Sequence, residues 1–210
     1  MASETSQTLD RGIRLLDLLA DAPGGRSVAE LAADLGVGRT VVYRLVATLE
    51  AHDLVRRDSE GRVRLGLGAL RLAGRVVPLV REAALPPLRR LAEEVGATAH
   101  LTIADGPDAL AVAVVEPSWT DYHVAYRVGS RHPLTRGAAG RAVLRGRRGE
   151  SGWVASSGEL QPGAVGVAAA VVGVPTVEAS VGVVALGVLD VERVGPLVER
   201  AAAEVAAALR

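Results

Sequence analysis

The stretch SVAELAADLGVGRTVVYRLVATLE, residues 27–50, constrains this chain more than any other. Ser27 followed three residues later by Glu30 is a capping-box pair, which starts a helix just before Leu31, Ala32 and Leu35. Gly36 ends that helix, and only the turn 36–38 separates it from a second one. There Val42, Leu45, Val46 and Leu49 recur at helical spacing and need a core. So short a turn makes the second helix cross the first. Its other face then projects outward, carrying Arg39, Thr40, Tyr43, Arg44 and Thr48 and no acid before Glu50.

The flanks complete the pattern. Upstream, Leu9, Ile13, Leu16 and Leu19 mark an amphipathic helix over 9–20, closed by Pro23, Gly24 and Gly25. Downstream, short strands at 54–57 and 62–65 surround the turn-forming tetrad Asp58, Ser59, Glu60, Gly61. Helix, capped helix, tight turn, helix and hairpin predict a winged helix-turn-helix, whose third helix fits a major groove. The chain's formal net charge is zero, so attraction to a polyanion requires a local patch. One exists: residues 36–75 hold eight arginines against four acids. In the wing, strand alternation puts Val63 and Leu65 on one side and Arg62 and Arg64 on the other, over the DNA backbone or minor groove. The candidate DNA contacts are therefore Ser27, Arg39, Thr40, Tyr43, Arg44, Thr48, Arg57, Arg62 and Arg64. A charged helix face by itself is more often simply solvated, and Arg44 could instead pair with Asp34 or Glu50.

A linker helix is expected over 67–80, irregular at Pro78, followed by a helix over 87–95. Strand-like runs come next at 98–104, 109–116 and 122–128, with Gly106 and Pro107 as the first hairpin signal. A short helix at 138–144, strands from Trp153, at 165–172 and at 180–186, and a closing helix at 191–209 complete an α+β layer structure. The expected domains are 1–66, winged helix-turn-helix; 67–82, linker helix; and 83–210, a second domain.

The segments SQTLDRGIRLLDLLADA, SVAELAADLGVGRTVVYRLVATLEAHDLVRRD and GRVRLGLGALRLA resemble the N-terminal domain of the IclR family of transcription regulators. RVGSRHPLTRGAAGRAVL and GWVASSGE extend the likeness into the second half. The resemblance implies a repressor that binds double-stranded DNA at a palindromic operator. It implies a homodimer or tetramer, and a GAF-like α/β effector-binding domain that holds a small molecule. The start of the helix after GSRHPLTRG, with the small residues Gly137, Ala138 and Ala139, then helps line the effector pocket. Ser156, Ser157, Glu159, Val184 and Leu186 are the other effector candidates.

Two departures from the family pattern bear on that pocket. Only Arg147, Arg148, Gly149, Glu150 and Ser151 stand where the family has a longer, helix-bearing segment, and the late strand GVVAL lacks hydroxyls. A buried carboxylate needs donors. The expected effector is accordingly apolar or an aromatic acid, or else the domain mainly dimerises.

Other chemistry is thin. Without cysteine there are no disulfides, thiolate metal sites or cysteine nucleophiles, and a cytoplasmic location fits. The polar start MASETSQTLDRG lacks the apolar core of a signal peptide, and the uncharged run 160–177 is broken by prolines and glycines, so no membrane span is expected. His100, His123 and His132 lack compact metal-ligand spacing and read as structural. GLGALRLAG falls short of a dinucleotide fingerprint and reads as wing exit. Ser156 and Ser157 have no partner arranged as a triad; Trp119, Tyr122 and Tyr126 could stack a ligand, but core or dimer contacts are the favoured reading. No cofactor, metal or enzymatic activity is expected. The competing readings are a regulator that has lost ligand response, and a small-molecule enzyme whose helix-turn-helix serves protein contacts.

Overall fold

The computed structural model describes residues 5–120, 126–174 and 177–210. The chain divides into two compact units, 1–76 and 77–210.

In the first unit, α1 (Gln7–Ala20), α2 (Val28–Leu35) and α3 (Arg39–Ala51) precede β1 (Val55–Arg57) and β2 (Val63–Leu65). The capping box forms as the sequence dictates. The Ser27 hydroxyl accepts from the Glu30 amide at 3.2 Å, and the Ser27 amide donates to the Glu30 carboxylate at 2.6 Å. Hydrogen bonds to it from the Ser27 amide and then the Ser27 side chain hold the Glu30 carboxyl below the usual carboxylate range. Gly36 terminates α2 with φ 65, the left-handed geometry that glycine accepts without strain. Leu15, Leu31, Val42, Val46 and Val63 are fully buried together, so the apolar stripes of all three helices meet the hairpin.

The wing is tied down at two places. Arg26 and Val63 exchange both backbone hydrogen bonds, at 2.9 and 2.7 Å, which adds a bridge to the β1–β2 pair. At the wing exit, a Cβ on Gly66 would lie 2.1 Å from the Asp53 carbonyl oxygen. Gly68 donates its amide to that same oxygen at 2.9 Å. The glycines of GLGALRLAG thus serve close backbone packing around Asp53, itself left-handed with φ 58.

One expectation fails in α4. In place of an interrupted linker and a separate helix, α4 runs from Gly68 to Val95 and contains Pro78, Pro86 and Pro87. Each proline forfeits one helical hydrogen bond. Burial of Ala84, Leu88, Leu91 and Ala92 in the core of the second unit outweighs that local preference.

The second unit is a six-stranded antiparallel sheet of order β5-β4-β3-β8-β7-β6. Its strands are β3 (Thr98–Asp105), β4 (Asp108–Val115), β5 (Arg131–Pro133), β6 (Trp153–Ser157), β7 (Ala164–Val171) and β8 (Ala179–Leu186). One face packs on α6 (Val191–Ala208) and the 84–92 stretch of α4 through Leu101, Val167, Val181 and Val183. The other receives α5 (Gly137–Arg147) through Ala138, Ala139, Ala142 and Ala168. The α+β class holds. The strand expected over 122–128 is not found where it can be judged: Tyr126, Arg127 and Val128 lie outside any strand, and 122–125 lie outside the described residues. Instead the short β5 pairs with β4, from Asp108↔Pro133 to Leu110↔Arg131. The segment from α5 to β6 is as short as the sequence indicates, with Arg148 capping α5 and β6 beginning at Trp153.

Candidate nucleic-acid interface and ligand cavity

Helix α3 separates its two faces cleanly. Val42, Leu45 and Val46 are buried, while Arg39, Thr40, Tyr43, Arg44 and Thr48 are exposed. Among the described residues, neither Arg39 nor Arg44 forms an ion pair. Asp34 is instead held by Arg26 at 3.1 Å, and Glu50 by Arg57 at 3.4 Å. Two guanidinium groups therefore stand free along the outward ridge. Tyr43, 52% exposed, lies between that ridge and the wing, with the Arg57 guanidinium 5.5 Å from its ring centre. Thr48 returns its hydroxyl proton to the Arg44 carbonyl at 3.0 Å, keeping its oxygen as an acceptor and its methyl outward.

The wing arginines Arg62 and Arg64, and Ser27, have partners within the chain. Arg62 donates to the Gly24 carbonyl at 3.2 Å and the Gly25 carbonyl at 2.7 Å, and pairs with Glu30 at 3.5 Å. Arg64 donates to Asp58 at 2.8 Å and packs over Gly25, where an added Cβ would meet the Arg64 side chain at 2.7 Å. Desolvation pushes the Asp58 carboxyl up, but the Arg62 amide and Arg64 side chain outweigh it and hold it below its ordinary value. These two arginines tie the hairpin to the α1–α2 turn. On β1, Arg56 and Arg57 are also exposed, Arg57 while pairing with Glu50, and Arg56 was not among the candidates. Register could have pointed to it, since Arg56 stands opposite Arg64 across the hairpin. Ser27 spends its oxygen on the cap of α2.

In the second unit a cavity of about 400 Å³ opens between the start of α5 and the sheet. Three strands supply its floor in register: Ser156 on β6 faces Gly166 on β7, and Gly166 faces Val184 on β8. Gly166 leaves room there, because a Cβ would already sit 3.4 Å from the Ser156 hydroxyl and 3.6 Å from Ala138. His100 and Tyr126 form one end, their rings 4.9 Å apart. The His100 ring rests over Gly182, where a side chain would clash, and its Nδ1 meets the Thr102 hydroxyl at 3.1 Å. Burial drives the His100 pKa down to about 3, with the neighbouring His132 adding to the effect, so the ring is neutral. Burial also pushes the Tyr126 hydroxyl up, partly offset by its hydrogen bond with Thr102.

Of the effector candidates, Ala138, Ala139, Ser156, Glu159 and Val184 line this cavity. Gly137 adjoins it by donating its amide to Glu159 at 2.8 Å. Ser157 and Leu186 do not reach it; Ser157 is exposed, and Leu186 ends β8 with 52% exposure. The sequence reading missed His100, Tyr126, His132, Arg136 and Leu160, which converge only through folding. Tyr126 is thus a cavity wall, in line with the stacking alternative and not the favoured core reading. Trp119 is no core residue either: it is 64% exposed, lies against Gly96 and donates to the Glu93 carbonyl at 3.2 Å. Tyr122 and His123 lie outside the described residues. No group of three metal-ligating side chains exists among the described residues, and no helix there is long and apolar enough to cross a membrane.

Comparison with known proteins decides what this arrangement belongs to. The IclR helix-turn-helix domain matches residues 8–59, and the C-terminal domain of the bacterial transcriptional regulator IclR matches 77–151. The chain belongs to the IclR family. It is 31% identical over 147 residues to the HTH-type transcriptional repressor AllR of Escherichia coli K12, covering 69% of this chain and 54% of that protein. The chain thus spans about half the length of the curated relatives it matches. Among solved structures, an IclR-family regulator from Rhodococcus sp. aligns with a TM-score of 0.58 at 25% identity, over 99% of this chain and 95% of that one. An IclR homologue from Microbacterium hydrocarbonoxydans complexed with 4-hydroxybenzoate aligns with a TM-score of 0.56 at 19% identity, over 97% and 99% of the two chains, a likeness of fold. The IclR-family relatives are transcriptional regulators and not enzymes.

Proposed function

We propose that this IclR-family chain is a cytoplasmic transcriptional repressor that binds a palindromic operator in double-stranded DNA as a homodimer or tetramer, with a GAF-like second unit that answers to a small-molecule effector. The observation that carries the reading is the α3 ridge: Arg39 and Arg44 exposed, without ion pairs among the described residues, flanking Tyr43. A helix shaped in this way can enter a major groove, where arginine reads guanine bidentately and threonine meets phosphate or a thymine methyl. Arg56 and Arg57 on the wing then serve the backbone, a role first assigned to Arg62 and Arg64.

The assembly has support in exposed apolar residues. Leu9 and Ile13 lie one turn apart on α1, and Leu70 and Leu72 lie at the start of α4, all more than half exposed. A second copy packed on this unit would cover them. The AllR relative, named a repressor, supports the sign of regulation. The 4-hydroxybenzoate complex of the Microbacterium homologue supports a small-molecule ligand for a chain of this fold.

Selection of bound sites from a random duplex pool, followed by gel shifts at 50 and 200 mM salt, tests the proposal. A two-fold symmetric motif whose affinity falls as salt rises is expected. Absence of any enriched motif, or an affinity indifferent to salt, would overturn it.

A further inference from the structure

The amides at the start of α5 would hold a ligand carboxylate, were they free. They are not. The Gly137 amide donates to one oxygen of Glu159 at 2.8 Å, and the Ala138 amide donates to the Ser156 hydroxyl at 2.9 Å. The other Glu159 oxygen is held by Arg141 at 2.8 Å. The loop carrying Glu159 folds back on the start of α5. Gly158 and Gly163 turn at its ends with φ 68 and 77, and Leu160 packs directly on Gly137, where any side chain would displace it.

We propose that Glu159 fills the anion position at the start of α5 from within the protein, so that the effector presents a hydroxyl or carbonyl group there and not a carboxylate.

The rest of the wall agrees. Of the cationic side chains on it, Arg131 pairs with Asp105, while Arg136 donates to the main-chain carbonyl of Glu159, a neutral partner, and keeps its charge. The other polar groups are able both to give and to accept hydrogen bonds. His132 holds its Nδ1 3.2 Å from the Pro133 carbonyl, which makes that nitrogen the donor and leaves Nε2 as an acceptor, 3.5 Å from the Tyr126 hydroxyl. Ser156 accepts from α5 and keeps its own proton to donate. Val184, Ala138, Ala139 and Leu160 supply apolar surface. At the start of α5 a carboxylic acid must either displace Glu159 from Gly137 and Arg141 or settle beside a like charge, and Arg136 is the wall cation left to answer it. A neutral hydroxyl or carbonyl meets partners without disturbing the loop.

The inference rests on the cavity being the effector site, and its test reads binding to the cavity without DNA. Matched aromatic fragments serve as probes: benzyl alcohol and benzamide against benzoate and phenylacetate, each at up to 10 mM, followed by ligand-observed NMR and thermal shift. The full-length chain is expected to bind the neutral pair at least tenfold more tightly than the acids. Glu159→Ala, which frees the Gly137 amide and the Arg141 guanidinium, is expected to reverse the order and to gain thermal stability from benzoate. Glu159→Gln keeps an acceptor for Gly137 but loses the charge, and is expected to narrow the preference even if the alanine variant folds poorly. Acids bound by the native chain as well as their neutral partners would overturn the ligand class while leaving the cavity reading intact. Failure of every fragment to bind would overturn both, and an unchanged acid affinity in both variants would remove Glu159 from the account.

Discussion

The Arg57 guanidinium lies 5.5 Å from the centre of the Tyr43 ring, so the wing and the outward face of α3 meet through one cation–π contact. That contact holds Arg57 beside the ridge instead of leaving it free to swing. Tyr43→Phe keeps the ring and should cost operator affinity less than threefold. Tyr43→Ala removes ring and anchor together and should cost tenfold or more, read by gel shift at constant salt.

Arg44 and Arg62 look alike in sequence but should fail in different assays. Arg44→Ala removes an exposed cation with no ion pair among the described residues, and should weaken operator binding by roughly 1–3 kcal/mol with unchanged thermal stability. Arg62→Ala breaks the bonds to the Gly24 and Gly25 carbonyls and should lower the melting temperature of the N-terminal unit. Calorimetry and gel shifts on the same preparations check the split; equal losses of DNA affinity at equal stability would contradict it.

Gly66→Ala should destabilise the N-terminal unit by about 1–3 kcal/mol or more, because the new Cβ would approach the Asp53 carbonyl to 2.1 Å, and backbone on both sides must shift. Gly24→Ala, with open space at its Cβ, is the control expected to leave stability nearly unchanged. Circular-dichroism melts distinguish the two.

The neutral, buried His100 ring makes the second unit sensitive to acid. Its folded pKa of about 3 lies below the ordinary 6.5, so between those values the unfolded chain binds the extra proton. Its contribution to stability is complete above pH 6.5 and is lost as pH falls toward 3. The slope approaches roughly 1.4 kcal/mol per pH unit within that window. Trp119 and Trp153, the only two tryptophans, both belong to the second unit, so tryptophan fluorescence during denaturant titration reports on it alone. His100→Gln should flatten the slope between pH 6.5 and 4.5. An unaltered slope would assign the acid sensitivity to other groups.

Local physics made the DNA-facing half legible in advance. The Ser27–Glu30 box, the glycine stop at Gly36 and the 42, 45, 46, 49 stripe each act within a few residues, so spacing alone placed α2, α3 and the side α3 turns outward. Alternation likewise put Arg62 and Arg64 on one side of the wing, but could not tell whether that side met solvent or the Gly24–Gly25 turn. In α4 the local rule misled, since proline preference is worth less than the burial of Leu88 and Leu91.

The cavity shows the other limit. Small residues at the start of α5 marked the place, yet His100, Tyr126 and His132, distant along the chain from Ser156 and Glu159, join it only because β3 and β8 pair and the 158–163 loop folds back on Gly137. By itself the sequence determined helices, turns and the charge of one exposed ridge, because those follow from neighbours a turn or a strand step away. Tertiary structure alone decided which arginines stay free and which carboxylate fills the start of α5, because each outcome is a competition between groups that meet only after the chain has folded.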